Sequence, residues 1–184
     1  MVREIERVLI VEDNLRLCRA LGRALGERFP TVDIVHSVEA ARAALGASAP
    51  DLILLDFALP DGDAFDVLDA VAARRPAPVV IAMSGQAKPL DTFALAQRGV
   101  RAFLDKPITL DTLEAMLRRL ADTPPPLAPH VAQTVGHVPL QRLSADVRDA
   151  MIDEALARAD GSRHEAARVL GISRQLLQYL LKQR

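Results

Sequence analysis

Tryptophan is missing from this chain of 184 residues, and cysteine occurs once, at position 18. A lone cysteine excludes an intrachain disulfide and any cysteine-based metal site. Cys18 falls in a helical stretch and reads as a small apolar packing group. Aromatic residues make up 3% of the chain while half of it is hydrophobic, so the core must be built from Leu, Val, Ile and Ala. No segment reaches the roughly 18 apolar residues that a membrane span needs. The start, Met1-Val2-Arg3-Glu4, lacks a signal-peptide pattern. The expectation is a cytoplasmic protein without a membrane partner. No G-x-x-x-x-G-K-[ST] loop occurs, which excludes an ATP-binding motor of the P-loop kind. Nor is there a strong charge of one sign: 23 Lys/Arg stand against 24 Asp/Glu, a net of −1.

What is present is unevenly placed. Residues 1–122 carry 15 Lys/Arg against 18 Asp/Glu, a net of −3, and residues 140–184 carry 8 against 6, a net of +2. Within residues 161–184 the count is 5 against 1, a net of +4, and such a local patch says more about partners than the whole-chain figure. Between the halves, residues 123–139 hold five prolines and no charged side chain. This stretch reads as a linker over 123–140, extended at about 3.1 Å per residue and able to span roughly 50 Å, with part of it docking on a domain.

The first part alternates short apolar runs with amphipathic stretches. Strands are expected at Arg7–Val11, Val32–Val35, Leu52–Asp56, Val79–Met83 and Ala102–Leu104. Leu17, Leu21 and Leu25, with Ala20 and Ala24, mark one helix, and Val38, Ala41 and Leu45 the next. Asp63–Ala73, Pro89–Arg98 and Leu110–Ala121 complete the set. Five strands alternating with five helices predict a doubly wound parallel α/β domain over residues 1–122. In such sheets ligands bind at the carboxyl ends of the strands.

At those ends stand Glu12 and Asp13, then Asp56, then Lys106. Clustered carboxylates repel one another and resist joint ionisation, a conflict that a divalent cation removes. Oxygen ligands suit Mg²⁺. An Asp beside such a cation is a competent nucleophile toward phosphorus, and the lysine helps neutralise the transferring group. Ser84, at the end of the fourth run, offers a hydroxyl to the new phosphoryl group. Asp61 and Asp63 read as turn and N-cap residues rather than ligands.

The pieces Val11-Glu12-Asp13, Leu54-Leu55-Asp56-Phe57-Ala58-Leu59-Pro60-Asp61-Gly62, Met83-Ser84-Gly85 and Phe103-Leu104-Asp105-Lys106-Pro107, in that order and spacing, resemble the receiver domain of bacterial two-component response regulators. The resemblance covers residues 5–121. It implies that Asp56 is the phosphoacceptor and that Glu12, Asp13, Asp56 and the Ala58 backbone carbonyl hold Mg²⁺. It further implies that Lys106 pairs with the phosphoryl group, that Ser84 is the switch hydroxyl and that Phe103 takes the place of the switch aromatic, without the hydroxyl of the usual Tyr. The Lys106–Pro107 bond is often cis in this family. Ala58 leaves no side chain to position a hydrolytic water.

The C-terminal part, residues 141–184, reads as a small all-α unit. Ser144 is a plausible N-cap for a helix to about Ala159. Its stripes Val147–Met151–Ala155 and Ile152–Leu156–Ala159 give it two apolar faces, and the second calls for a partner chain. A short helix over His164–Leu170, a turn at Gly171 and a last helix over Ser173–Gln183, with Ser173 as N-cap, follow. Placing Gly171 at the turn of a helix-turn-helix puts Ala167 at the close approach and Leu170, Ile172, Leu177 and Leu180 on packing positions. The segment 161–177 resembles the Fis-type helix-turn-helix. By that resemblance the last helix enters the major groove of double-stranded DNA. Arg174, Gln175, Gln178 and Lys182 would face the bases, and Ser162, Arg163 and Ser173 the phosphates. Leu176 and Leu180-Leu181 depart from the polar or basic residues common in Fis-like helices. Charge toward DNA is therefore modest, and a homodimer on a pseudo-palindromic site is expected.

A receiver plus a Fis-type unit, with no AAA+ ATPase module between them, resembles the RegA/PrrA/ActR kind of response regulator. The implied function is a transcription regulator switched by phosphate from a histidine kinase. The only chemistry expected is Mg²⁺-dependent self-phosphorylation and autodephosphorylation at Asp56, so the chain is not an enzyme toward an outside substrate. Two alternatives stay open: a receiver-linked RNA-binding antiterminator, and a phosphorelay adaptor whose helices contact only proteins.

Overall fold

The computed structural model describes residues 5–85, 89–123, 131–132 and 134–184. It divides into two compact units between residues 124 and 125. The first holds, in chain order, β1 (Arg7–Val11), α1 (Leu15–Gly26), β2 (Thr31–Val35), α2 (Val38–Ala47), β3 (Leu52–Asp56), β4 (Ala58–Leu59), β5 (Gly62–Asp63), α3 (Ala64–Ala72), β6 (Val79–Ser84), α4 (Pro89–Gln97), β7 (Ala102–Asp105) and α5 (Leu110–Asp122). The second holds α6 (Leu140–Arg158), α7 (Arg163–Leu170) and α8 (Arg174–Lys182).

The main sheet is five-stranded and parallel, in the order β2-β1-β3-β6-β7. Every residue of β3 is buried, which is why its Leu-Ile-Leu-Leu run shows no polar alternation. Both faces of the sheet carry helices. Leu9, Ile53, Leu55, Val80 and Ala82 join a core with residues of α2, α3 and α4. Val8, Ile10, Leu52, Leu54, Ile81 and Met83 join a second core with Leu21 and Leu25 of α1 and Leu113 and Leu117 of α5. The five expected strands are present within one residue at their ends. The pair β4–β5, an antiparallel two-residue ladder just after Asp56, was not expected, because two residues are too few to show a period. On α1 the inward positions are Cys18, Leu21 and Leu25, while Ala20 faces solvent.

At the amino ends of the central strands sits a buried carboxylate, Asp51. Its Oδ2 accepts from the backbone N–H groups of Glu6 and Arg7, both at 2.9 Å. The Asp51 N–H donates to the Arg7 carbonyl and the Asp51 carbonyl accepts from the Val79 N–H, each at 2.8 Å. One residue thereby stitches β1, β3 and β6 at their starts.

In the second unit, Ile152, Ala155, Ala166, Ala167 and Leu177 form the buried core, with Leu156, Ala159, Leu170, Ile172, Leu180 and Leu181 packed around it. Here α6 begins at Leu140, five residues before the expected start. Ser144 is not its N-cap: Pro139 takes that place, and the Ser144 hydroxyl donates to the Gln141 carbonyl at 3.0 Å as a mid-helix serine does. Proline just ahead of a helix removes a donor that would be orphaned anyway, so Pro139 was the better signal. Ala155 belongs with Ile152 on the buried side of α6, apart from the exposed Val147 and Met151 with which it was expected to form one stripe. The stretch read as extended linker is helical at Val131 and Ala132 and turned over residues 134–138, where Thr134, His137 and Val138 are hydrogen-bonded locally. Prolines 124–126 and 129 lie outside the described residues.

Candidate functional site

Two strand ends bring the acids together. Glu12 and Asp13 follow β1, Asp56 ends β3, and β1 pairs with β3 from Val8–Leu52 to Val11–Leu55. Ligand oxygens of Glu12, Asp13 and Asp56 lie within 4.8 Å of one another, with Glu12 and Asp56 buried and Asp13 exposed. Lys106, just beyond β7, reaches into this group. Its Nζ lies 2.7 Å from Glu12 Oε2 and 2.8 Å from Asp56 Oδ2. The approach to Glu12 is close but badly angled, so the fully buried Oε2 has no hydrogen-bond donor among the described residues. A buried carboxylate oxygen without a donor, beside two further carboxylates, fits a hard divalent cation held by oxygen. The residues present thus fit Mg²⁺.

Burial raises the Glu12 carboxyl above its ordinary range; the Lys106 ammonium opposes this and the Asp56 charge adds to it. Burial alone would lower Lys106. Its contacts with Asp56 and then Glu12 outweigh that, and the ammonium is held above the ordinary lysine value. The lysine therefore stays charged and serves as the resident counter-ion of the pocket.

The surroundings hold these groups in place. The Glu12 N–H donates to the Val35 carbonyl at 3.0 Å. Its carbonyl lies 2.8 Å from His36 Nδ1 and accepts from Cys18 Sγ at 3.2 Å, and its Oε1 accepts from the Asn14 N–H at 3.2 Å. Asn14 also caps α1, accepting from Arg16 and Leu17. Asn14 and His36 escaped the sequence reading, although an Asn ahead of an amphipathic helix is a recognisable N-cap signal. Asp61 Oδ1 accepts from the Val38 N–H at 2.7 Å and Oδ2 from the Glu39 N–H at 3.0 Å. These bonds tie the loop after Asp56 to the start of α2 and hold the Asp61 carboxyl below its usual range. Asp63 caps α3 in a capping box with Asp66. Neither Asp61 nor Asp63 joins the metal-competent group.

Ser84 is buried at the end of β6, one residue past Met83, the register partner of Asp56. Its carbonyl accepts from the Lys106 N–H at 2.8 Å, and the Lys106–Pro107 bond is cis. Phe103 pairs in register with Ala82 and packs, half-buried, on the core beneath α2, α3 and α4. Ala58 is exposed in β4, two residues past Asp56.

In the second unit Gly171 ends α7 with φ of 68°, a left-handed conformation that suits glycine, and the Ile172 N–H donates to the Ala167 carbonyl at 3.0 Å. Ser162 caps α7 through the Glu165 N–H, and Ser173 caps α8 through the Leu176 N–H. Ala166 and Ala167 are buried where α7 meets its neighbours. This is a helix-turn-helix with α8 second. Ser162, Arg163, Ser173, Arg174, Gln175 and Lys182 are exposed, whereas Gln178 is half-buried beside the Leu177–Leu181 side of α8. Two further exposed residues of α8 are Leu176, 43% exposed, which the sequence reading marked as a departure from Fis-like helices, and Tyr179, 58% exposed, to which it gave no role.

An acid pocket at the carboxyl edge of a five-stranded parallel sheet, joined in one chain to a helix-turn-helix, defines a receiver domain with a DNA-binding output. Residues 8–118 match the family model of the response regulator receiver domain, and residues 146–183 match that of the bacterial regulatory protein, Fis family. The chain is 28% identical to the photosynthetic apparatus regulatory protein RegA of Rhodobacter capsulatus over 96% of its own length and 91% of the relative's. It is 31% identical to the transcriptional regulatory protein TcrA of Mycobacterium tuberculosis over 89% of its length and 69% of the relative's. Among solved structures it resembles the signal receiver domain of a LuxO repressor protein from Vibrio parahaemolyticus, with a TM-score of 0.58 and 30% identity over 62% of this chain and 88% of that one. The chain belongs to the two-component response regulators, with a receiver domain and a Fis-type helix-turn-helix DNA-binding domain and no match to an AAA+ module. Receiver domains generally bind Mg²⁺ at such an acidic pocket. Among the described residues no helix is long and apolar enough to cross a membrane.

Proposed function

We propose that Asp56 is the phosphoacceptor of a cytoplasmic transcription regulator whose input is a histidine kinase. A carboxylate oxygen of Asp56 attacks the phosphorus of the kinase phosphohistidine. The P–O bond forms as the P–N bond breaks, and the imidazole nitrogen leaves with the electron pair and takes a proton. Asp56 is then an acyl phosphate, which water later hydrolyses to the carboxylate and inorganic phosphate. Glu12, Asp13, Asp56 and the Ala58 carbonyl would hold Mg²⁺, which would supply charge neutralisation for the transferring group. Lys106 follows the phosphoryl oxygens, the Ser84 hydroxyl donates to one of them, and Phe103 repacks as the β6 end moves. The phosphoryl group adds about −1.5 to −2 charges to the pocket.

The observation that carries this reading is the convergence of Glu12, Asp13 and Asp56 on one point with the Lys106 ammonium 2.8 Å from Asp56. The test is Asp56→Asn exposed to the cognate kinase or a small acyl phosphate. Phosphoryl label is expected on the wild-type chain with Mg²⁺ and not on the variant. Label that persists on the variant would remove Asp56 from this role.

The output follows from the second unit. We take residues 1–122 as the receiver, 123–140 as the tether and 141–184 as the DNA-binding domain. Val147 and Met151 of α6 are 41% and 55% exposed, and they line an open groove of about 440 Å³ with Val131, Leu140 and Leu143. A second copy covers this face, giving a homodimer. Two α8 helices then meet successive major grooves of a pseudo-palindromic duplex, about 34 Å apart. Arg174, Gln175, Gln178 and Lys182 turn toward base edges, and Ser162, Arg163 and Ser173 toward phosphates.

A further inference from the structure

We infer that α8 reads thymine: Leu176 and Tyr179 contact thymine methyl groups on the floor of the major groove, beside an adenine held by Gln175. This rests on reading the C-terminal unit as a binder of double-stranded DNA, and it names the base pairs that unit selects.

The geometry comes from the helix itself. Leu177 is fully buried, and Leu180 and Leu181 pack on the unit's core, so they fix the inward side of α8. At about 100° per residue, Gln175, Tyr179 and Lys182 fall on the opposite side, and Leu176 falls on the flank beside Tyr179. Gln175 and Tyr179 are four positions apart, and Leu176 and Tyr179 three, so their side chains are neighbours on one surface. Leu176 and Tyr179 keep 43% and 58% of their surface exposed. The ring of Tyr179 therefore stands near the centre of this face, and Leu176 extends its apolar surface to one flank.

Its margins are cationic. Helix α8 contains no Asp or Glu, and the single acid of residues 161–184, Glu165, is paired with Arg168 at 2.8 Å. Arg184 is committed to Asp149 and Asp153 of α6. Arg163, Arg174 and Lys182 have no carboxylate partner among the described residues. They stand at the starts of α7 and α8 and at the end of α8. An apolar surface flanked by cations matches a groove whose floor shows methyl groups beside the acceptor edges of guanine, which Arg174 and Lys182 suit, and whose walls are phosphates, which Arg163 suits. Thymine C5 is the methyl-bearing position in the major groove, and Gln pairs with adenine N6 and N7. A protein partner would meet the apolar surface equally well but gives no reason for the cationic margins.

The test uses the full-length chain, phosphorylated with a small acyl phosphate. Duplexes are first selected from a random pool. Affinities are then measured for the selected site and for copies in which single thymines are replaced by uracil, which lacks the methyl group. The selected half-sites should hold thymine at fixed positions. Each contacted thymine changed to uracil should weaken wild-type binding about fourfold, the effect of losing one buried methyl-sized group. Leu176→Ala and Tyr179→Ala, both at exposed positions, should each bind the thymine and uracil copies equally at one position. Half-sites without A·T pairs, or uracil copies bound as tightly as the parent, would overturn the inference. If no duplex is selected, the DNA reading falls, and Leu176 and Tyr179 pass to a protein contact.

Discussion

The two units bury their apolar residues to very different depths. Among the described residues the receiver packs two cores, of fifteen and twelve buried residues, one on each face of its sheet. The C-terminal unit buries five, and leaves Leu140, Val147, Met151, Leu176 and Tyr179 outside. The receiver is complete as a folded body and concentrates its chemistry in one pocket. The helical unit is held by few contacts and offers unpaired apolar faces on α6 and α8. Small cores give little stability, and exposed apolar patches mark interaction sites. This contrast suits the roles proposed for them, a switch in the receiver and completion by partners in the helical unit.

The largest expected break of this contrast is Leu177→Ala. Removing a fully buried Leu costs about 3 kcal/mol, a large share of what a five-residue core supplies. Thermal unfolding should then show the helical unit melting early and the receiver transition unmoved. A shift of both transitions would mean that the units do not fold separately.

Next comes Lys106→Met, expected to cost the receiver about 2 kcal/mol at neutral pH, less than for a wholly buried pair because Lys106 keeps some exposure. The sign with pH follows from the shifts. Lys106 is raised, so its contribution is full below the ordinary lysine range and is lost as pH rises through its raised value. Glu12 is raised by burial, so stability is gained as pH falls through its raised value. Urea titrations without Mg²⁺ should show the wild type weakening at alkaline pH, and the variant weakest near neutrality and recovering on acidification. Mg²⁺ should stabilise the variant more than the wild type. A deficit in the variant that is independent of pH would show that Lys106 acts there by packing alone.

Gly171→Ala is a smaller change, about 1 kcal/mol, because a Cβ at φ of 68° is strained although nothing lies within 4 Å of it. Gly171→Asn should cost less, since Asn tolerates that conformation. The comparison is read by the helical transition, again with the receiver unmoved.

Met151→Glu should alter stability least, within about 0.5 kcal/mol, yet change assembly most. Light scattering should give the dimer mass for the wild type and the monomer mass for the variant. A variant that stays dimeric would move the interface away from α6.

The sequence showed most where one physical signal dominated. The buried runs of β1 and β3 were legible to the residue because a strand covered on both faces has no polar position to blur its ends. The acids and Lys106 were legible because strand ends collect at one edge. His36 was not, since it acts through the Glu12 backbone carbonyl, which leaves no pattern of residue types; Asn14 showed a cap signal but nothing of its bond to the Glu12 carboxylate. The start of α6 was misplaced because Ser144 looks like a cap and Pro139 like a linker residue, and only the three-dimensional path separates them. Tyr179 could not be oriented until Leu177 fixed the inward side of α8.

The stitch made by Asp51 has a mechanical consequence. With the first residues of β1, β3 and β6 bound to a single buried carboxylate and its backbone, these strands cannot slide past one another at their amino ends. The sheet behaves as a clamped plate, fixed along one edge and free along the other. Under the proposed phosphorylation, charge added at Asp56 would act on the free edge, at the carboxyl ends of the strands and the loops that follow them.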